Sequence, residues 1–259
     1  MKWLALDIGN SKVAAGLVER TTVIDEIAVL DPDAGVESQM AAIFDPVIEA
    51  IGRHDAVGVV VSSVVPHVLE LFEHLWWGRR PERELHSLVV THEAALPYVL
   101  DVDRPETVGA DRLCNVAAAV ALGFHDAILV DLGTANTFDL LRDGWFVGGL
   151  IGPGAERSHR ALVEAGVQLP DVAFAHPRSL VGRDTARAMQ AGSFHQAVGA
   201  VAHVIRRLRV DRPDRPTLLA GGLAETIGPE LPFEVLYVPH MTLIGAARIA
   251  EENHGGHRS

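Results

Sequence analysis

The chain is poor in lysine, in cysteine and in long apolar runs, and each shortage excludes something. Only Lys2 and Lys12 are lysines, so nearly all the positive charge among the 22 basic residues is arginine. No G-x-x-x-x-G-K-[ST] segment occurs, which excludes the lysine-based phosphate loop. A single cysteine, Cys114, excludes an internal disulfide and any multi-cysteine metal site. That usage fits a reducing cytoplasm, the expected location. Basic residues are outnumbered by 34 acidic ones, leaving a formal net charge of −12. A nucleic-acid or anionic-membrane partner would need a basic face, so neither is expected. The longest apolar stretches, around 57–66 and 116–124, fall short of the roughly 18–20 residues that span a bilayer. The opening MKWLALDIGN carries a short apolar run that Asp7 interrupts, so no signal-peptide core is expected. The tail NHGGHRS, with His254 and His257, reads as a frayed polar end. The histidines show no metal-ligand spacing.

What is present is an ordinary globular composition, with 48% hydrophobic and 22% charged residues among 259. Trp3 to Leu6 reads as a buried strand that ends in the turn Asp7-Ile8-Gly9-Asn10, and Val13 to Glu19 as its return. The pattern occurs again. Ala127 to Val130 is an apolar run, Asp131-Leu132-Gly133-Thr134 is the turn, and Thr137 to Leu141 returns. The two aspartates lie 124 positions apart, nearly half the chain, which points to an internal duplication. Between and beyond the copies, helical spacing over 40–51, 68–77, 111–122, 158–165, 185–208 and 243–252 alternates with strand-like runs at 56–65, 87–90 and 217–220. Alternation of this kind predicts an α/β fold. The halves are expected to divide at 118/119, giving domains 1–118 and 119–259.

Without a phosphate-loop lysine, nucleotide phosphates would be held by backbone amides in glycine turns, by small hydroxyls and by bound cations. The two turns offer those parts. Gly9 and Gly133 let backbone approach a phosphate. Asn10, Ser11, Thr134 and Thr137 supply polar groups, and Asp7 and Asp131 supply carboxylates for a cation. One such turn is a weak signal, because Asp and Gly populate every kind of turn. Two copies, each after an apolar strand, are a stronger one.

The pair resembles the phosphate signature of the actin-like ATPase and sugar-kinase superfamily. Seven likenesses in order, the pair among them, narrow it. They are Asp7-Ile8-Gly9-Asn10-Ser11, then Ser62-Ser63-Val64-Val65-Pro66, then Pro97-Tyr98 with Gly109-Ala110-Asp111-Arg112. Asp131-Leu132-Gly133-Thr134-Ala135 with Thr137-Phe138-Asp139 follows. Gly148-Gly149-Leu150-Ile151 with Pro153-Gly154, Gly182-Arg183-Asp184-Thr185 and Gly221-Gly222-Leu223-Ala224 complete the series. Over essentially its whole length the chain resembles the type III pantothenate kinases.

The resemblance implies two duplicated actin-like (ribonuclease H-like) domains with an ATP cleft, and ATP-dependent phosphorylation of pantothenate, the first step toward coenzyme A. It implies Asp111 as general base, with Tyr98, Gly109, Ala110, Asp111, Arg112 and Thr185 as substrate contacts. Thr185 would serve the partner subunit, which implies a homodimer with composite sites. Asp7, Ile8, Gly9, Asn10, Ser11, Lys12, Val13, Ala14 and Thr134 would hold ATP with Mg2+, and Asp131 would hold a monovalent cation, K+ or NH4+. Read alone, several of these positions have plainer roles. Asp111-Arg112 is also what opens an ordinary helix. Tyr98 also suits a strand end, Thr185 a helix start, and Lys12 open water. Ser11 stands where threonine is commoner in the family and Asn136 where threonine is frequent, both keeping a polar group. The stretch Ala155-Glu156-Arg157-Ser158-His159 is more charged than the family pattern suggests.

Overall fold

The apolar runs before each Asp-x-Gly turn become the central strands of two sheets. A computed structural model describes residues 1–29, 36–79, 85–166 and 169–255. The elements in chain order are β1 (Lys2–Ile8), β2 (Val13–Glu19), β3 (Thr22–Val29), α1 (Val36–His54), β4 (Gly58–Ser63), α2 (Pro66–Arg79), β5 (His86–Val89), β6 (Val99–Leu100) and α3 (Ala110–Ala121). They continue as β7 (Ala127–Leu132), β8 (Ala135–Arg142), β9 (Trp145–Pro153), α4 (Ala155–Ala165), α5 (Thr185–Leu208), β10 (Thr217–Ala220), α6 (Ala224–Ile227), β11 (Leu236–Tyr237) and α7 (Met241–Gly255). Two compact units result: Met1–His125 with Arg142–Val147 and His240–Ser259, and Asp126–Leu141 with Gly148–Pro239.

In the first unit the sheet order is β3-β2-β1-β4-β5. β1 and β2 form the expected hairpin, closing at Ile8↔Val13, and β4 runs parallel to β1. Leu4, Leu6 and Ile8 pack with Met40, Phe44 and Val47 of α1 and with Val68, Phe72 and Trp76 of α2. Full burial of one such side chain is worth about 1.5–3 kcal/mol, so this cluster holds the turn end of β1 in place. The helix α1 is longer than its spacing predicts and continues through Pro46. The ring costs one helical hydrogen bond there, and the flanking apolar residues of the cluster keep the segment helical. α7 crosses α3 at Gly245, where any Cβ would overlap the Cys114 carbonyl. Beside the crossing, the Thr242 hydroxyl donates to Asn115 Oδ1 at 3.0 Å.

The second unit repeats the arrangement. β7 and β8 form an antiparallel hairpin closing at Leu132↔Asn136, and β10 runs parallel to β7. β11 and β9 extend the sheet to β11-β10-β7-β8-β9. Thus β2-β1-β4 and β8-β7-β10 are equivalent three-strand sets, as a duplication requires. Arg215, 1% exposed, ties the foot of this sheet through Asp126, Asp211 and the Leu208 carbonyl. The spacing predicts none of the strands β3, β6, β9 and β11. β9 includes the glycine-rich run 148–154 up to Pro153, and its residues alternate little in burial. No helix among the described residues is long and apolar enough to cross a membrane.

Candidate active site

The first turn is the tip of the β1–β2 hairpin. The Gly9 amide donates to the Lys12 carbonyl at 2.9 Å, leaving Asn10 and Ser11 at the apex. A Cβ on Gly9 would stand 3.2 Å from that same carbonyl. Asn10 and Lys12 are exposed and Ser11 is half-buried. A residue outside the motif braces this turn. Gln39 of α1, 1% exposed, accepts from the Val13 amide at 3.0 Å and donates to the Ser11 carbonyl at 3.4 Å. At the base of the turn the Asp7 carboxylate accepts from the Ser62 hydroxyl at 3.2 Å. The parallel register of β1 and β4 puts Asp7 directly opposite Ser62. Ser63 serves the next bend, with its hydroxyl bonded to both the amide and the carbonyl of Val65, just before α2.

Asp111 lies in the first turn of α3, one residue after Ala110 and two after the cap Gly109. One carboxylate oxygen accepts from the Arg112 amide at 2.8 Å. A Cβ on Gly109 would stand 2.5 Å from that oxygen, so the glycine leaves room for the carboxylate. Burial raises the Asp111 carboxyl from its ordinary value, and the Arg112 amide and charge pull it back only in part. Arg112 lies with its guanidinium carbon 5.6 Å from the centre of the Phe146 ring. Tyr98, 8% exposed, meets the same ring edge-on at 6.2 Å and donates its hydroxyl to the Leu113 carbonyl at 2.9 Å. Its hydroxyl therefore ties β6 to α3, and its ring sits in the Asp111–Arg112 neighbourhood. Phe146 was not singled out by any motif. Cys114, one helical turn after Asp111, is fully buried. Burial and the Asp7 and Asp111 carboxylates push its thiol well up, so it stays protonated.

In the second unit three separate motifs meet at one turn. The Gly133 amide donates to the Ala135 carbonyl at 3.2 Å, and the Gly154 amide to the Thr134 carbonyl at 3.2 Å. A Cβ on Gly154 would collide with the Gly133 and Thr134 backbone. Gly221, with φ +94°, lies against Asp131, and a Cβ there would stand 2.5 Å from both the carboxylate and the Leu132 amide. Only glycine fits a left-handed position that tight. The Leu223 amide then donates to the Leu132 carbonyl at 3.2 Å. Asn136 is 7% exposed on β8. Thr185 is exposed at the start of α5, where Asp184 caps the helix by accepting from the Arg187 amide at 2.8 Å.

The charged look of 155–159 is misleading at one position. His159 is buried, with Nε2 donating to the Val172 carbonyl at 2.6 Å and Nδ1 bonded to the Ser193 hydroxyl at 2.8 Å. It pins the segment after α4 onto α5. Each turn by itself offers oxygen donors: Asp7, Asn10 and Ser11 at the first, and Asp131 and Thr134 at the second. Hard oxygen donors of this kind suit a cation such as Mg2+ together with phosphate.

A sequence model of type III pantothenate kinase matches residues 3–207. A type III pantothenate kinase of Geobacter sulfurreducens is 31% identical, covering 96% of this chain and 98% of that one. The chain belongs to the type III pantothenate kinase family. A second member, from Streptomyces avermitilis, is 32% identical, again over 96% of this chain and 98% of its own length. Family membership makes the chain a kinase that phosphorylates pantothenate in coenzyme A biosynthesis. Among solved structures, a ROK family glucokinase from Streptomyces griseus in complex with glucose and AMPPNP superposes with TM-score 0.55 at 13% identity. The match covers 97% of this chain and 100% of that one. At that identity the likeness concerns the fold, which is the actin-like one expected.

Proposed function

We propose that Asp111 is the general base of this pantothenate kinase. In the proposed reaction the carboxylate takes the proton of the primary hydroxyl as its oxygen bonds the γ-phosphorus of ATP. The bond from that phosphorus to the bridging oxygen breaks, and ADP leaves. A loose phosphoryl-transfer transition state asks mainly for positioning and a nearby proton acceptor. The observation that carries the reading is the environment of Asp111. Its carboxylate is buried, held by one amide hydrogen bond and raised in pKa by that burial.

Tyr98, Gly109, Ala110 and Arg112 would surround pantothenate, with Arg112 offering its fork of donors to a polar or anionic group. Residues 7–14 and Thr134 would hold the ATP phosphates through amides and hydroxyls, and Asp131 would hold K+ or NH4+. Bound Mg2+ supplies neutralisation of phosphate charge. Thr185 of the partner subunit would complete the substrate site, making the enzyme a cytoplasmic homodimer. The chemical halves would divide at 118/119. The net charge of −12 supports a small-molecule enzyme without a nucleic-acid or membrane partner.

ADP release with Mg-ATP, with and without pantothenate, tests the reading. Pantothenate-dependent release that falls sharply when K+ and NH4+ are replaced by Na+ is expected. Release that ignores pantothenate would overturn the substrate, and equal rates in Na+ alone would remove the Asp131 cation site.

A further inference from the structure

The Ser62-Ser63-Val64-Val65-Pro66 segment has no role in the reading above, yet its first serine touches the site. Ser62 is 0% exposed and sits on β4 directly opposite Asp7. Its hydroxyl has one proton, and that proton goes to Asp7 Oδ1. Ser62 is held on β4, which runs parallel to β1 and in register with it, so this bond fixes the carboxylate against the neighbouring strand.

We propose that Ser62 is a positioning residue that fixes the Asp7 carboxylate relative to β4. The proposal rests on the assignment of Asp7 to the magnesium-phosphate side of the site. A carboxylate with one oxygen fixed presents the other in a defined direction. Partners of this kind typically change metal affinity or activity by about 10–100-fold when removed. Ser62 touches no reacting atom in this scheme.

The test compares wild type with S62A and S62C by calorimetric titration of ATP, once with Mg2+ and once with EDTA. S62A is expected to weaken ATP binding about tenfold in Mg2+ and to leave binding in EDTA unchanged. S62C, a weaker donor of similar size, is expected to fall between S62A and wild type. Pantothenate KM should stay at its wild-type value in both. Equal affinity of S62A and wild type in Mg2+ would overturn the proposal. So would an equal loss in EDTA, because Ser62 would then only hold the shape of the turn. If S62A does not fold, S62C decides alone, and no magnesium-specific loss in it is again refutation. Wild type that binds ATP equally with and without Mg2+ would instead remove the magnesium role of Asp7, a separate failure.

Discussion

The two Asp-x-Gly turns have the same strand context and are held in place by opposite means. The first is braced by side chains from remote elements: Gln39 grips its backbone and Ser62 grips its carboxylate. The second is held by backbone pressed against backbone, with Gly154 and Gly221 allowing contacts that any Cβ would prevent. A turn built on side-chain hydrogen bonds loses one or two of them when mutated and keeps its path. A turn built on glycine contacts has to move when a side chain is added. The duplication therefore preserved the glycine-amide bond inside each turn, Gly9 to Lys12 and Gly133 to Ala135, while the outer braces differ.

The comparison breaks most visibly at Gly221. A valine there faces both the left-handed backbone and the Asp131 carboxylate, and should cost about 3 kcal/mol or more. Gly222→Ala is the matched control, because nothing lies within 4 Å of its would-be Cβ. Urea unfolding of the two variants measures the difference, and equal midpoints would contradict the backbone-contact account. Next comes Gln39→Met, which keeps the volume and removes both hydrogen bonds. A buried amide left without a partner costs about 1–3 kcal/mol. Faster hydrogen exchange confined to the 9–14 peptide is the expected signature. Tyr98→Phe should cost about 1 kcal/mol through the lost bond to Leu113, with pantothenate KM little changed, since the hydroxyl is already engaged within the protein.

The smallest effect concerns pH. Burial raises the folded-state pKa of Asp111 above its ordinary value of 3.8. The folded state then binds the proton more tightly than the unfolded one, so this group's contribution is complete at low pH. It is lost as pH rises through the window between 3.8 and the raised value. Asp111→Asn should therefore melt slightly above wild type at neutral pH, with the gap closing on acidification through that window. A gap that widens on acidification would reverse the sign and contradict burial as the cause.

Local signals made the hairpins legible. Each apolar run that stops at Asp-x-Gly is a strand and a turn within a dozen residues, and both hairpins formed with the expected pairing. Helix α5 was legible from its spacing over 185–208, and the structure adds Asp184 as its cap. What escaped was built by distance. Gln39 acts on residues 26 and 28 positions away, and nothing in its own neighbourhood marks it. Phe146 matters through the Arg112 guanidinium above it and the Tyr98 ring beside it. β9 carries a glycine-rich stretch that has little strand propensity of its own and is recruited by β8. His159 looks like one more surface charge in sequence, and only the fold brings Ser193 and the Val172 carbonyl to its two nitrogens.

The central assignment is Asp111 as the proton acceptor, and Asp111→Asn tests it when binding and turnover are measured on the same preparation. The amide keeps the size and most of the hydrogen bonding of the carboxylate. The account predicts pantothenate and ATP affinities within a few-fold of wild type, together with a kcat lowered by about 10²–10⁴-fold. A variant that binds both ligands and turns over at a near-wild-type rate would contradict it.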